Sequence, residues 1–123
     1  MNRPSHKELY QKILEAKKSV SAGRIMIVDP IVVAEDAIDL NYAIEDELVD
    51  VLNELLDETA PHHYTGTRPP QRSYEKQIQG LELFAFSVES NRFNCKVYYK
   101  FAIIEGICWL VSLHQDRLRE KRL

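Results

Sequence analysis

Residues 94–116, NCKVYYKFAIIEGICWLVSLHQD, read as two strands folded back on one another, and their register decides the fold. With Gly106 in the left-handed position of a three-residue turn, Ile104-Glu105-Gly106, one face collects Val97, Tyr99, Phe101, Ile103, Ile107, Trp109, Val111 and Leu113. Every one is apolar or aromatic, as a buried face requires. The other face then holds Lys96, Tyr98, Lys100, Ala102, Cys108, Leu110, Ser112 and His114, with Tyr98 opposite Ser112 and Lys96 opposite His114. A two-residue turn at Glu105-Gly106 would instead set Tyr98 beside Leu113 and leave Lys96, Tyr98 and Lys100 on the face of Trp109 and Val111. The three-residue register is therefore the expectation, and it gathers two lysines, a tyrosine, a serine and a histidine on one patch.

Upstream of the hairpin, residues 80–88 read as a strand in which Leu83 and Ala85 alternate with Phe84 and Phe86, and Ser90-Asn91-Arg92 supplies the turn into residue 94. Before it, residues 59–74 hold three prolines and one glycine and have neither helical nor strand period. Long irregular loops in small domains are often functional, and this one carries two histidines, two arginines and two tyrosines. The N-terminal half is helical. Ser5-His6-Lys7-Glu8 has the form of a capping box, and Leu9, Ile13, Ala16 and Val20 follow at helical spacing until Gly23. Residues 24–28 suit either a short buried strand or an apolar connection. Asp29-Pro30 opens a second helix with Ile31, Val32, Ala34, Ala37 and Ile38, and Asn41 is placed to cap a third. Its stripe is Ile44, Leu48, Val51, Leu52 and Leu55, with acids on the remaining sides.

Helices followed by a strand meander predict a single α+β domain over residues 1–123, with helices in about 5–58 covering the Tyr99/Trp109 face of an antiparallel sheet in about 80–114. The polar face is left open. Residues 116–123 are highly charged and suit a short basic helix or a frayed end. No run of about 18 apolar residues is present for a membrane span, and no apolar stretch follows the N-terminus, so a soluble cytoplasmic protein is expected. Cys95 and Cys108 fall on opposite faces of the hairpin in the expected register, so both are read as thiols.

The net charge of −3 conceals a partition. Residues 1–28 carry six Lys or Arg against two acids, and residues 59–123 carry ten against six. Residues 29–58 hold eleven acids and no Lys or Arg. The flanks suit an anionic ligand, while the middle is either a solvated face or a docking face for a basic partner.

His62 and His63 are adjacent, and neither Cys-x-x-Cys nor His-Glu-x-x-His occurs, so metal is not expected. There is no phosphate-cradling glycine loop, and Ser112 lacks an elbow motif. The patch does suit RNA cleavage without metal or cofactor, in which a base takes the 2′-hydroxyl proton, cations stabilise the phosphorane, and an acid protonates the leaving 5′-oxygen. Histidine, with an ordinary pKa of about 6.5, serves either proton-transfer role near neutral pH.

An N-terminal helix ending in Ala22-Gly23, a helix with Ala34 and Ala37, a Leu-rich segment ending near Tyr64, and then Val97-Tyr98-Tyr99-Lys100 and Leu110-Val111-Ser112-Leu113-His114 together resemble the MqsR-type toxins of the RelE superfamily. Those are small bacterial mRNA interferases. The resemblance spans most of the chain as an order of elements, and its specific part is the last hairpin. It implies a RelE-like domain with Tyr98, Lys100 and His114 as catalytic residues; for such a ribonuclease, Lys96, Arg68, Arg72 and His63 are the residues expected to hold RNA. It further implies mRNA as substrate and a cognate antitoxin as partner; single-stranded mRNA, free or on the ribosome, is expected, with no membrane or DNA bound by this chain alone. The family's lysine after the Leu-rich segment has no counterpart among His62, His63, Tyr64 and Thr65. The rival expectation is a noncatalytic α+β module that binds a protein through the acidic third helix.

Overall fold

In the computed structural model, which describes residues 3–116, the capping box closes as expected. The Ser5 hydroxyl accepts from the Glu8 N–H (3.1 Å), and the Glu8 carboxylate accepts from the Ser5 N–H (3.2 Å). This starts α1 (His6–Ser21), which buries Leu9, Ile13, Ala16 and Val20. The apolar segment after Gly23 becomes β1 (Ile25–Ile27), and it joins the sheet parallel to the last strand, with Met26 beside Trp109. The sheet is therefore mixed, in the order β1-β4-β3-β2, where β2 is Phe84–Ser90, β3 is Cys95–Ile104 and β4 is Ile107–Gln115.

Asp29 caps α2 (Pro30–Leu40) by accepting from the Val32 N–H (3.3 Å). Asn41 ends α2 and does not begin α3. Its φ of 63° is left-handed, a conformation that asparagine tolerates better than most residues. α3 (Ile44–Glu58) starts instead at Ala43, whose N–H donates to the Glu47 carboxylate (2.8 Å).

The hairpin departs from the expected register. Glu105 and Gly106 both have positive φ (51° and 76°), the signature of a two-residue turn whose twist matches its flanking strands. Ile104 then faces Ile107, Ile103 faces Cys108 and Phe101 faces Leu110. A register shift follows between Lys100 and Phe101, where Val111 is the extra residue, and beyond it Lys100 faces Ser112, Tyr99 faces Leu113 and Tyr98 faces His114. The physical reason lies in Leu110 and Leu113, which are both 0% exposed although three residues apart. Strict alternation would send one of them to each face, and the bulge returns both to the core.

Three expectations change as a result. Trp109, Ile107 and Val111 leave the face of Tyr99, and Cys108 and Leu110 replace them there. His114 stands opposite Tyr98, where Ser112 was expected. Cys95 and Cys108 share the helix-covered face, and both are free. Cys108 pairs with Ile103, eight residues along β3 from Cys95 or about 27 Å, which is far beyond disulfide reach.

The helices cover the face built from Val97, Tyr99, Phe101, Cys108, Leu110 and Leu113. The opposite face is divided. Towards the hairpin tip, Val28, Ile78 and Leu83 cover Ala102, with Leu81, Trp109 and Val111 packed against them. Towards the other end the face stays polar. The loop over residues 59–74 makes a short 3-10 turn (Pro61–His63) and then runs along the edge of β2, where Tyr64 pairs with Phe86 and Arg72 with Glu82. Residues 117–123, including the expected basic tail, lie outside the described residues.

The β2–β3 turn is tied to the acidic α3 by the Asn91 N–H, which donates to the Glu58 carboxylate (3.0 Å), and by the Arg92 guanidinium. Arg92 donates twice to Glu54 (2.8 and 3.0 Å) and once to Glu47 (2.9 Å). The Ala43 N–H, followed by Arg92, holds the Glu47 carboxyl below its ordinary range, and Arg92 does the same for Glu54. A carboxyl depressed in the folded state contributes stability above its unfolded pKa, and that contribution is lost as pH falls through the folded value. Arg92→Ala is accordingly expected to flatten the decline of stability over about pH 3–5. Urea unfolding at stepped pH measures this, and an acid limb identical to wild type would refute the clamp.

Among the described residues no helix is long and apolar enough to cross a membrane.

Candidate functional site

The polar half of the sheet is organised in cross-strand rows. Ser87 pairs with Tyr98 and Tyr98 with His114; Ala85 pairs with Lys100 and Lys100 with Ser112; Glu89 pairs with Lys96. Asp116 follows His114 on the same face, and its N–H donates to the Lys96 carbonyl (2.9 Å). Alternation along β3 alone places Lys96, Tyr98 and Lys100 together, and it does so in either hairpin register. Only the bulge on β4 puts His114 directly beside Tyr98.

The Tyr98 and His114 rings stack, with centroids 5.1 Å apart and planes 23° from parallel. His114 Nδ1 lies 2.8 Å from the Gln115 carbonyl oxygen. A carbonyl only accepts, so Nδ1 carries a proton, and in the neutral ring Nε2 presents its lone pair. The half-buried Tyr98 phenol is pushed above its ordinary value, first by burial and then by the Asp116 charge, so it holds its proton at neutral pH. His63 has the opposite tautomer: its Nδ1 accepts from the Ala60 N–H (2.9 Å), which leaves the proton of the neutral ring on Nε2. Burial, His62 and Lys96 lower its pKa in that order, which also places it within electrostatic reach of Lys96.

The two lysines are not equivalent. Lys96 stands in register between Glu89 and Asp116, whereas Lys100 stands between Ala85 and Ser112. The charge of Lys96 is locally offset, while that of Lys100 has no acid in its row.

The two loop arginines have their partners along the loop. Arg68 lies over the Tyr64 ring at 5.1 Å and donates to the Pro4 carbonyl (3.4 Å), which fastens the loop to the start of α1. Arg72 donates to the Gly80 carbonyl (2.8 Å) and lines a cavity of about 320 Å³ with Arg3, Lys12 and Glu82. Two residues absent from the sequence expectation do reach the patch. Ser87 is buried on β2, and its hydroxyl donates to the Asp116 carboxylate. The alternation of Ala85, Ser87 and Glu89 with Phe84, Phe86 and Val88 is the signal that places Ser87 there.

No family model matches the chain, and no curated protein matches it in sequence. Among the described residues no group of three or more His, Cys, Asp or Glu is placed to hold a metal ion. Chemically, the patch combines a half-buried imidazole with a free lone pair, a protonated phenol stacked on it and an ammonium without an acid in its row. That set can move a proton and stabilise an anionic oxygen.

Proposed function

We propose that the protein is a metal-independent endoribonuclease of the RelE-like, MqsR-type class, acting on mRNA in the cytoplasm and neutralised by an antitoxin. The observation that carries this reading is the Tyr98–His114 stack, with His114 Nδ1 engaged by a backbone carbonyl and Nε2 left as a base. His114 Nε2 takes the proton of a 2′-hydroxyl, and the 2′-oxygen attacks the adjacent phosphorus. Lys100 stabilises the charge on the phosphorane, and the Tyr98 phenol returns a proton to the departing 5′-oxygen. The products are a 2′,3′-cyclic phosphate and a 5′-hydroxyl.

Incubation with a defined single-stranded RNA in EDTA at low salt tests this reading, and a 2′,3′-cyclic end is the expected product. Lys100→Ala is expected to lower the rate about a hundredfold, as the loss of one stabilising donor does elsewhere. Lys96→Ala, at a position offset by Glu89 and Asp116, is expected to weaken RNA binding while changing the rate at saturating RNA by no more than about threefold. Equal losses in the two variants would sink the assignment of Lys100.

A second reading has its own observation. On α2, Ile31 and Ile38 are 71% and 78% exposed and seven residues apart, in a stretch with no Lys or Arg. That stripe favours a noncatalytic module that docks a basic amphipathic partner. Growth arrest on expression, relieved by a neighbouring gene and abolished by the double substitution Tyr98→Phe and His114→Ala, favours the nuclease.

A further inference from the structure

One contact on the polar face is not used by the cleavage chemistry. Asp116 lies beyond the end of β4, and its carboxylate accepts from the Ser87 hydroxyl on β2. β3 runs between those strands, so the carboxylate crosses it in the neighbourhood of Lys96 and Tyr98, the residues paired with Asp116 and Ser87. Ser87 is 7% exposed, and a hydroxyl so buried requires an acceptor. An ionised carboxylate only accepts hydrogen bonds, and the non-bridging oxygens of a phosphate ester have the same chemistry. The acidic group therefore sits on the Ser87 hydroxyl, within electrostatic reach of the Tyr98 phenol and in register with Lys96.

We propose that Ser87, Tyr98 and Lys96 form an oxyanion seat for a phosphate group, and that the Asp116 carboxylate fills this seat until the ligand displaces it. The choice of a phosphate ester rests on the ribonuclease reading; the seat itself rests on the Ser87–Asp116 contact. Asp116 acts as an internal competitor in two ways, because it occupies the donors and because its charge repels the incoming anion.

The test titrates inorganic phosphate into the wild-type chain, Asp116→Ala, Ser87→Ala and the double variant, followed by the NMR signals of the Tyr98 and His114 rings. Asp116→Ala is expected to bind phosphate about tenfold more tightly than wild type, the gain from freeing a charge-assisted donor set. In the double variant the gain is expected to disappear, because Ser87 is part of the seat. If Asp116→Ala binds no more tightly than wild type, or if the double variant keeps the whole gain, the seat is overturned and only long-range charge remains. Should Asp116→Ala fail to fold, Asp116→Asn retains an acceptor for Ser87 without the charge; a smaller gain is then expected, and none would overturn the proposal. Cleavage is read separately. A tenfold gain with no RNA cleavage by wild type would remove the ribonuclease and leave the seat, whereas cleavage without the gain would do the reverse.

Discussion

His114→Ala is expected to lower metal-free RNA cleavage about a thousandfold, the middle of the range for losing a positioned general base, while the protein stays folded. The ring is held by two contacts that leave Nε2 available: the stack on Tyr98 and the bond from Nδ1 to the Gln115 carbonyl. Both orient the ring, so alanine removes the base and its positioning together. The cost to stability is expected to be small, about 1 kcal/mol for a lost ring pair at a half-buried position. Tyr98→Phe separates the roles, because it keeps the stack and removes only the phenolic proton. Added imidazole restores part of the His114→Ala rate if the lost group is a proton acceptor, and it restores nothing if His114 merely props Tyr98. Cleavage by His114→Ala at the wild-type rate would remove this residue from the mechanism.

Phe86→Ala is expected to cost about 3–5 kcal/mol, the largest loss of stability from a single substitution proposed for this chain. Phe86 is 0% exposed and holds the meeting point of three aromatic neighbours. Tyr64 meets it edge-on at 5.8 Å, Tyr99 lies at 5.9 Å and Phe101 stacks at 6.0 Å. Truncation removes the transfer energy of the ring and leaves a cavity between loop, sheet and helices that these rings cannot fill without leaving their own contacts. Against a total of about 5–15 kcal/mol for an ordinary domain, this approaches the threshold of unfolding. Tyr99→Phe in the same core provides the contrast. It removes the 2.7 Å bond to the Thr59 hydroxyl, but that hydroxyl keeps its 2.6 Å bond to the Leu55 carbonyl, so about 1 kcal/mol is expected. Urea denaturation of the two variants beside wild type measures both values, and comparable losses would mean that the hydrogen bond matters as much as the ring.

Local chemistry was legible wherever neighbours in sequence are neighbours in space. The Ser5/Glu8 capping box, the α3 stripe and the alternation that puts Lys96, Tyr98 and Lys100 on one face all follow from periods of 3.6 and 2, and the structure reproduces them. The hairpin register was misread because two devices act together, a two-residue turn and a bulge at Val111, and each alone sends the β4 side chains to different faces. The spacing of Leu110 and Leu113 carried the bulge, although alternation alone does not reveal it. The partners of Arg68 and Arg72, namely Tyr64, Pro4 and Gly80, are set by the path of the loop along β2, which no local period reveals.

By itself, the sequence determined the three helices and the strand meander, that the fold class is α+β, and which side chains of β3 stand together, because these depend on interactions within one element. Only the tertiary structure decided that β1 lies parallel to β4, that His114 stacks on Tyr98, and that Ser87 meets Asp116 across β3. Those pairings join strands whose relative register is set by burying Leu110 and Leu113 under the helices, a condition imposed by the whole core.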